Sequence, residues 1–417
     1  MTSDTYFCDT YSQLLAGQLS GIKRLDLSGG LKEFPREIFS LADSLEVLNL
    51  SGNQLTELPA DLHRLHRLKV IFCSDNLFSE LPIALGRCPS LDTLGFKANQ
   101  IQSVEAAALP ERLRWLILTD NALEALPTEI GNRPALQKLM LAGNRLQKLP
   151  ADLAKCSNLE LVRIAANRLT TFPACLLDLP KLAWLAFSGN PFSAPVDANQ
   201  APASIIPELA WESLQLGKVL GEGASGVIHE GRVRQHGNGG QRVAIKIFKG
   251  DITSDGRPSD EMDACLAAGK HAHLIGALAK ISHHPLGLHG LVMPLLNETY
   301  QALAQPPSLD SCTRDIYDSG LAISAESAAK MIKAASAALT HLHKQGLSHG
   351  DLYAHNLLVD PTGNALLSDF GAASRTSALE PGALAAVLRF ENRALRILIE
   401  EITSRCANVG ELSELLA

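Results

Sequence analysis

The stretch Leu45-Glu-Val-Leu48-Asn-Leu50-Ser-Gly-Asn53-Gln-Leu55-Thr-Glu-Leu58-Pro59 decides the fold of the first half of the chain, because it recurs at an almost constant spacing. Successive copies begin 23, 23, 23, 22, 23, 23 and 23 residues apart, their first apolar positions being Ile22, Leu45, Leu68, Leu91, Leu113, Leu136, Leu159 and Leu182. A fixed period of this length predicts an array in which each copy packs only against its neighbours.

An asparagine keeps step with the leucines, and Leu-Pro pairs such as Leu58-Pro59 and Leu149-Pro150 mark the turns. Buried at a turn, an asparagine side chain can bond backbone groups that would otherwise lack partners. The pattern resembles the leucine-rich repeat, which implies a curved α/β solenoid of about eight repeats over residues 22–192, after an N-terminal cap at 1–21. The seven asparagines are Asn53, Asn76, Asn99, Asn121, Asn144, Asn167 and Asn190.

Strand positions that point away from the core of such an array line its concave face. Arg163 occupies one of them, and several others are apolar or aromatic. A patch of that kind is typical of a surface that binds a protein or peptide, and the alternative is that it packs against the second half of the chain. The residues predicted to contact a partner are Phe72, Trp115, Ile117, Met140, Leu161 and Trp184.

The repeat pattern stops after Asn190, and residues 193–210 are predicted to be a linker because prolines and small polar residues accumulate there. A strand-like run then leads into the glycine-rich segment Gly221-Glu-Gly223-Ala224-Ser225-Gly226. Since a second strand-like run follows instead of a helix, the segment favours a hairpin over phosphates and disfavours a dinucleotide-binding unit.

Three further motifs follow the glycines in order, and together they resemble the protein kinase family over residues 211–405. They are Val243-Ala244-Ile245-Lys246, His349-Gly-Asp351-Leu-Tyr-Ala-His-Asn356 and Ser368-Asp369-Phe370-Gly371. With the repeats, the whole chain looks like a leucine-rich-repeat protein kinase. The resemblance implies that residues 211–417 form a two-lobed α+β protein-kinase-like domain with ATP bound between the lobes.

The family resemblance also implies catalytic roles. Lys246 matches the lysine that contacts the α- and β-phosphates, and its acidic partner is expected from the next helix. Glu261, fifteen residues later, is the candidate, with Asp260 and Asp263 as alternatives. Asp351 matches the catalytic base that accepts the proton of the substrate hydroxyl.

Two oxygen-bearing residues, Asn356 and Asp369, match the ligands of Mg²⁺, a hard cation that prefers oxygen donors. The residues that the resemblance places around ATP lie on the glycine hairpin, the neighbouring strands and the hinge. They are Leu220, Gly221, Gly223, Ala224, Ser225, Gly226, Ile228, Ala244, Lys246, Met293, Leu296 and Leu358.

The chain departs from the family pattern around the catalytic loop. Gly350 replaces the arginine usual before the catalytic aspartate, so phosphorylation of the activation loop is not the expected switch. Tyr353 stands where many kinases have a lysine that contacts the γ-phosphate, and His355 is a candidate substitute. Only 22 residues separate Asp369 from Glu391, which takes the place of the family's anchoring aspartate, and the C-lobe is expected to be truncated.

Composition narrows the remaining choices. A net charge of −7 argues against a nucleic-acid binder that works by neutralising phosphates, and no apolar run reaches the ~18 residues of a membrane span. The eight cysteines contain no C-x-x-C pair and are predicted to be core residues in a reducing, cytoplasmic setting.

The predicted function is ATP- and Mg²⁺-dependent phosphorylation of Ser or Thr hydroxyls in proteins, with the repeats as a protein-interaction module. One alternative is a non-catalytic leucine-rich-repeat scaffold with an ATP-binding, pseudokinase-like domain. Another is a kinase for a small molecule.

Overall fold

The computed structural model describes residues 3–194, 207–223, 225–234, 240–250 and 252–416, with only the backbone of residues 3–8. The chain divides into two compact units. One comprises Met1–Val162 and Asn167–Leu182, and the other comprises Arg163–Ala166 and Ala183–Ala417. Ala224 and most of the predicted linker, residues 195–206, lie outside the described residues, and the predicted domain boundaries stay predictions.

The repeats form short parallel strands, which confirms the predicted solenoid architecture. Helix α1 (Ser3–Leu15) comes first, and eight strands then pair in chain order. The central residue of every strand is apolar and at most 3% exposed, because each points into the stacked core. The strands are β1 (Arg24–Asp26), β2 (Val47–Asn49), β3 (Val70–Phe72), β4 (Thr93–Gly95), β5 (Trp115–Ile117), β6 (Lys138–Met140), β7 (Leu161–Arg163) and β8 (Trp184–Ala186).

The return segments of the repeats are short 3₁₀ helices, several of which begin directly after a proline, such as Thr128–Asn132 and Ala151–Lys155. The asparagines occupy the predicted turn positions. Asn144 donates through Nδ2 to the carbonyl oxygens of Leu118 (2.8 Å) and Leu141 (3.0 Å) and accepts from the backbone N–H of Leu123 (3.0 Å). Backbone groups of adjacent repeats are satisfied in this way.

The second unit contains a six-stranded sheet in the order β10-β11-β12-β14-β13-β9, antiparallel except where β9 joins β13. Its core includes Leu214, Val243, Ile245 and Val292. Helix α2 (Pro258–Ala268) follows β12. The strands are β9 (Glu208–Ala210), β10 (Leu214–Glu222), β11 (Gly226–Val233), β12 (Gln241–Phe248), β13 (Ala279–Ser282) and β14 (Gly290–Pro294).

The rest of the second unit is built on two long helices, α3 (Ala325–Lys344) and α4 (Pro381–Thr403), and a short one, α5 (Val409–Leu416). The side chain of Ser324 caps α3 by accepting from the N–H of Ser327. The catalytic loop and the Asp-Phe-Gly segment lie between α3 and α4, and only residues 376–380 separate the last strand from α4. The short strands are β15 (Gln301–Ala302), β16 (Leu347–Ser348), β17 (Leu357–Val359), β18 (Ala365–Leu367) and β19 (Ser374–Arg375).

Among the helices that the structure describes, none combines the length and the apolar character needed to cross a membrane. Cys73, Cys88, Cys156, Cys265 and Cys312 are buried free thiols, as expected for core residues.

Candidate active site

Strands β10 and β11 form the predicted hairpin at the glycine-rich segment. The N–H of Gly223 donates to the carbonyl oxygen of Gly226 (2.9 Å), which tightens the turn. A Cβ at Gly226 would lie 2.3 Å from the carbonyl oxygen of Ile247, so only glycine fits between the strands. A Cβ at Gly221 or Gly223 would meet no atom within 4 Å, which leaves this edge of the hairpin open to a ligand.

Lys246 and Glu261 form an ion pair between β12 and the first turn of α2. Lys246 Nζ contacts Glu261 Oε1, and the two side chains are 12% and 6% exposed. Burial raises the pKa of Glu261 above its ordinary value, and the Lys246 cation opposes that rise. The structure therefore places Glu261 against the lysine, whereas no bond joins the lysine to Asp260 or Asp263 in the described residues.

Beside the hairpin lie an apolar cleft of about 270 Å³ and a polar cavity of about 150 Å³. Ile228 lines both. The polar cavity is bordered by Lys246 and Asp369 together with Gly223, Ser225 and Gly226. This combination fits a ligand with a flat apolar part and an anionic part. The predicted ATP-site residues that line the apolar cleft are Leu220, Ile228, Ala244, Met293, Leu296 and Leu358.

The catalytic-loop residues lie next to the Asp-Phe-Gly segment. Asn356 Nδ2 donates to Asp351 Oδ2 (2.9 Å), and its backbone carbonyl accepts from Ser368. Asp369 has a φ of 60°, a left-handed conformation that costs a non-glycine residue energy and is concentrated at functional sites. The N–H of Gly371 donates to Asp369 Oδ1 (2.9 Å) and holds the carboxylate.

Gly350 explains one departure from the family pattern. Its φ is 73°, and a Cβ there would lie 2.5 Å from the carbonyl oxygen of Ala372 and 2.7 Å from that of Leu185. An arginine at this position would therefore clash with two backbone segments.

The catalytic loop is anchored by Glu391 of α4, which is 2% exposed. Its two carboxylate oxygens accept from the backbone N–H groups of His349 (2.9 Å) and Gly350 (2.8 Å), and His343 Nε2 lies 3.1 Å away. Burial alone would raise the pKa of Glu391, but the hydrogen bonds and the neighbouring His343 outweigh it, so the pKa is lowered. The carboxylate thus fixes the backbone of the catalytic loop just before Asp351.

Asp351 and its surroundings have two neighbours, Arg163 and Asp255, that the sequence motifs did not assign to the site. Arg163, in the second unit, is 2% exposed; its Nη2 contacts Asp351 Oδ1, and its Nε donates to Asp255 Oδ1. The repeat pattern marked Arg163 only as a strand residue pointing away from the solenoid core. Asp255 also lines the polar cavity and carried no motif signal.

Trp184 corrects part of the predicted partner surface. It is 1% exposed, stacks on Tyr353 with ring centroids 4.2 Å apart, and donates through Nε1 to the carbonyl oxygen of Leu352 (3.1 Å). Leu161, at 4% exposure, is also buried. Neither side chain is presented to a partner, because burial has already removed it from solvent. The partly exposed members of the predicted set are Phe72, Trp115, Ile117 and Met140.

His355, the candidate substitute for a missing lysine, is itself held in place. Its Nδ1 lies 2.7 Å from Asp315 Oδ1, and its backbone N–H donates to Asp315 Oδ2 (2.9 Å). Burial would lower the pKa of His355, but the hydrogen bond to Asp315 and nearby carboxylates raise it above the ordinary value. A histidine in this setting favours its charged form.

Known protein families match both the repeats and the domain that carries this site. The family described as protein tyrosine and serine/threonine kinase matches residues 214–382, and leucine-rich-repeat families match residues 43–84 and 134–192. The chain joins leucine-rich repeats to a protein kinase domain. This organisation is that of a leucine-rich-repeat protein kinase, as the sequence motifs indicated.

The relatives that match the kinase domain include both tyrosine-protein kinases and serine/threonine-protein kinases. A tyrosine-protein kinase receptor TYRO3 of Danio rerio is 25% identical over 39% of this chain and 18% of its own length. A CBL-interacting serine/threonine-protein kinase 7 of Arabidopsis thaliana is 26% identical over 46% of this chain and 42% of its own length.

A third relative, leucine-rich repeat and calponin homology domain-containing protein 1 of Mus musculus, is 32% identical over 26% of this chain and 16% of its own length. The chain thus spans less than half the length of each of these three relatives.

A protein kinase domain implies ATP and a divalent metal, and the residues present fit both. The apolar cleft and the lysine-bearing cavity suit a nucleotide triphosphate. Asp369 offers a carboxylate, and the orientation of Asn356 leaves its amide oxygen to serve as a ligand. In the described residues no group of three or more His, Cys, Asp or Glu side chains could hold a metal ion.

Proposed function

We propose that this chain is an ATP- and Mg²⁺-dependent protein kinase that transfers the γ-phosphate of ATP to Ser or Thr hydroxyls, with the leucine-rich repeats as its protein-interaction module. The observation that carries the proposal is the convergence of the glycine hairpin, Lys246 and Asp369 on one cavity, with Lys246 paired to Glu261. Phosphoryl transfer depends mainly on positioning and on charge stabilisation, and this arrangement provides both.

The roles of the individual side chains follow from their places around the cavity. The glycine hairpin covers the phosphates, and Glu261 keeps Lys246 directed toward them. Asp351 accepts the proton that the attacking hydroxyl releases, while the hydroxyl oxygen forms its bond to the γ-phosphorus and ADP leaves. Mg²⁺, held by Asn356 and Asp369, would neutralise the phosphate charge.

One observation favours a second candidate, a non-catalytic scaffold that binds ATP. Both carboxylate oxygens of Asp351 are engaged in the structure, Oδ1 by Arg163 and Oδ2 by Asn356. A carboxylate that serves only as a structural partner would show the same two contacts.

Transfer of labelled phosphate separates the two candidates. Purified full-length chain is incubated with γ-labelled ATP and Mg²⁺, with a chelator in a parallel sample, beside Asp351→Asn and the exposed control Asp318→Asn. We expect Asp351→Asn to lower transfer about 10²–10⁴-fold, the usual contribution of a positioned base, with ATP affinity retained. Asp318→Asn should behave as wild type.

Two results bear against the proposal in different ways. Wild-type chain that binds ATP but transfers no phosphate to itself or to a generic protein supports the scaffold. Phosphate recovered only on tyrosine after acid hydrolysis contradicts the assignment to Ser and Thr while leaving a protein kinase.

A further inference from the structure

The buried guanidinium of Arg163 joins the catalytic aspartate to two other groups of the second unit. Nε donates to Asp255 Oδ1, Nη1 donates to the carbonyl oxygen of Gly350 (3.1 Å), and Nη2 contacts Asp351 Oδ1. Each nitrogen of the planar fork therefore has its own acceptor. Such a fork fixes the direction of a carboxylate more strictly than the single point charge of a lysine does.

The catalytic loop itself brings no lysine or arginine to Asp351, and the histidine that follows it, His355, is bonded to Asp315 instead. Gly350 has no side chain, Tyr353 is uncharged, and neither Lys nor Arg occurs between Asp351 and Asn356. The acidic groups nearby, Asp255 and Asp369, repel the ionised carboxylate of Asp351. Arg163 opposes this repulsion more strongly than His355 does, so its buried positive charge stabilises the geometry of the site.

The segment around Trp184, which lies in the same unit as Arg163, is packed against the catalytic loop and the segment after Asp369. Trp184 packs on Tyr353 and donates to the carbonyl oxygen of Leu352. The backbone N–H groups of Phe187 and Ser188 both donate to Ser374 Oγ (3.0 and 3.1 Å). The segment that carries Trp184 is therefore part of the core of the second unit, and Arg163 lies within the same unit.

The contact also leaves Asp351 able to react. Its side chain remains 19% exposed, whereas that of Arg163 is 2% exposed. A carboxylate has about four lone-pair sites, and the bonds from Arg163 and Asn356 occupy two of them. A substrate hydroxyl can still donate to this carboxylate while the guanidinium holds it.

We propose that Arg163 is a positioning residue of the phosphoryl-transfer site, which holds Asp351 for proton abstraction in place of a lysine or arginine from the catalytic loop. This inference rests on the proposed kinase function. It means that a residue outside the kinase motifs supplies part of the catalytic geometry, and that Arg163 acts on the reaction through Asp351 and not through ATP.

The test measures steady-state transfer by the full-length chain at varied ATP concentration. Arg163→Gln removes the charge, Arg163→Lys keeps it without the fork, and Arg168→Gln, at an exposed position five residues later, is the matched control. We expect Arg163→Gln to lower kcat about 10²-fold, the scale of a misplaced catalytic group. Arg163→Lys should recover part of that loss, and KM for ATP should stay within about twofold of wild type in both.

A double-mutant cycle with Asp351→Asn separates positioning from a general structural role. If Arg163 acts through Asp351, adding Arg163→Gln to Asp351→Asn should lower kcat little further. Losses that multiply in the double variant contradict the inference. Where Arg163→Gln fails to fold, as judged by circular dichroism and urea unfolding, Arg163→Lys decides: a reduced kcat with unchanged KM supports the inference, and a wild-type kcat overturns it.

The remaining outcomes are distinct. Faster transfer by Arg163→Gln would show that the contact is inhibitory and overturn the inference, as would an unchanged rate. Absence of transfer by the wild-type chain contradicts the proposed function, and this inference falls with it. Activity in wild type together with an unaffected Arg163→Gln variant contradicts the inference alone.

Discussion

The two compact units satisfy their buried polar groups over very different spans of sequence. In the repeat unit, Asn144 bonds Leu118 and Leu141, 26 and 3 residues away, and Asn53 and Asn76 repeat this local pattern. In the second unit, Glu391 accepts from the N–H of His349 across 42 residues, and Arg163 reaches Asp351 across 188.

This difference predicts how many other groups lose a partner when one residue is substituted. A repeat interacts only with its neighbours, so the loss of one asparagine affects the adjacent turns. The long-range bonds of the second unit converge on the catalytic loop, so the loss of one member leaves several groups without partners at once. The largest effects are therefore expected in the second unit.

Glu391→Ala should give the largest loss of stability. It leaves the N–H groups of His349 and Gly350 without their acceptor, and it removes the buried carboxylate that His343 contacts. We expect the free energy of unfolding to fall by about 3–5 kcal/mol, as for other broken buried pairs, measured by urea unfolding. Glu400→Ala, on an exposed turn of the same helix, is the control and should change little.

The pH dependence of this loss has a definite sign. Because the pKa of Glu391 is lowered in the folded chain, its stabilisation is present above the unfolded-state pKa and is lost as the pH falls through the lowered value. The difference between wild type and Glu391→Ala should therefore shrink in acid. A difference that grows as the pH falls would contradict the assigned role of the carboxylate.

Asn144→Ala should have a smaller and more local effect. The hydrogen bonds of the Asn144 side chain to buried backbone groups disappear, which we expect to cost about 2–4 kcal/mol in unfolding free energy. Phosphate transfer measured at a temperature where the variant is folded should remain at the wild-type rate. The exposed Asn132→Ala serves as control, and a large loss of transfer in Asn144→Ala would break the proposed separation between local and long-range networks.

Much of the architecture could be predicted from sequence because it is encoded at short or regular spacings. The 23-residue period predicted the turn position of Asn144. Glu261 could be chosen as the partner of Lys246 because it lies in the next helix, only fifteen residues later. The Arg163–Asp351 pair left no such signal, since nothing in the local pattern of a repeat strand indicates a partner 188 residues later. Gly350 was visible as a missing arginine, but its steric cause depends on the carbonyl oxygens of Ala372 and Leu185.

Trp115 and Trp184 were both predicted to contact a partner, and substituting them tests the smallest expected difference between the two units. Trp184, in the second unit, donates to the buried carbonyl oxygen of Leu352, whereas Trp115, in the repeat unit, is partly exposed and donates to the sulfur of Met140 (3.3 Å). Phenylalanine keeps an aromatic ring at either site but removes the N–H donor and the rest of the smaller ring of the indole. Trp184→Phe should cost at least about 1.5 kcal/mol, because a buried acceptor loses its partner and the smaller ring leaves a cavity.

Trp115→Phe should cost less than about 0.5 kcal/mol, since a thioether sulfur is a weak acceptor and the site is partly open to solvent. Urea unfolding of both variants measures the difference, and labelled-phosphate transfer shows whether only Trp184→Phe, which frees a carbonyl next to Asp351, also slows the reaction. Equal losses at the two positions would mean that the bond to Leu352 contributes nothing beyond ring packing. The catalytic loop would then depend on Arg163, Glu391 and Asp315 among the contacts described above, and the contrast between the two units would rest on charged groups.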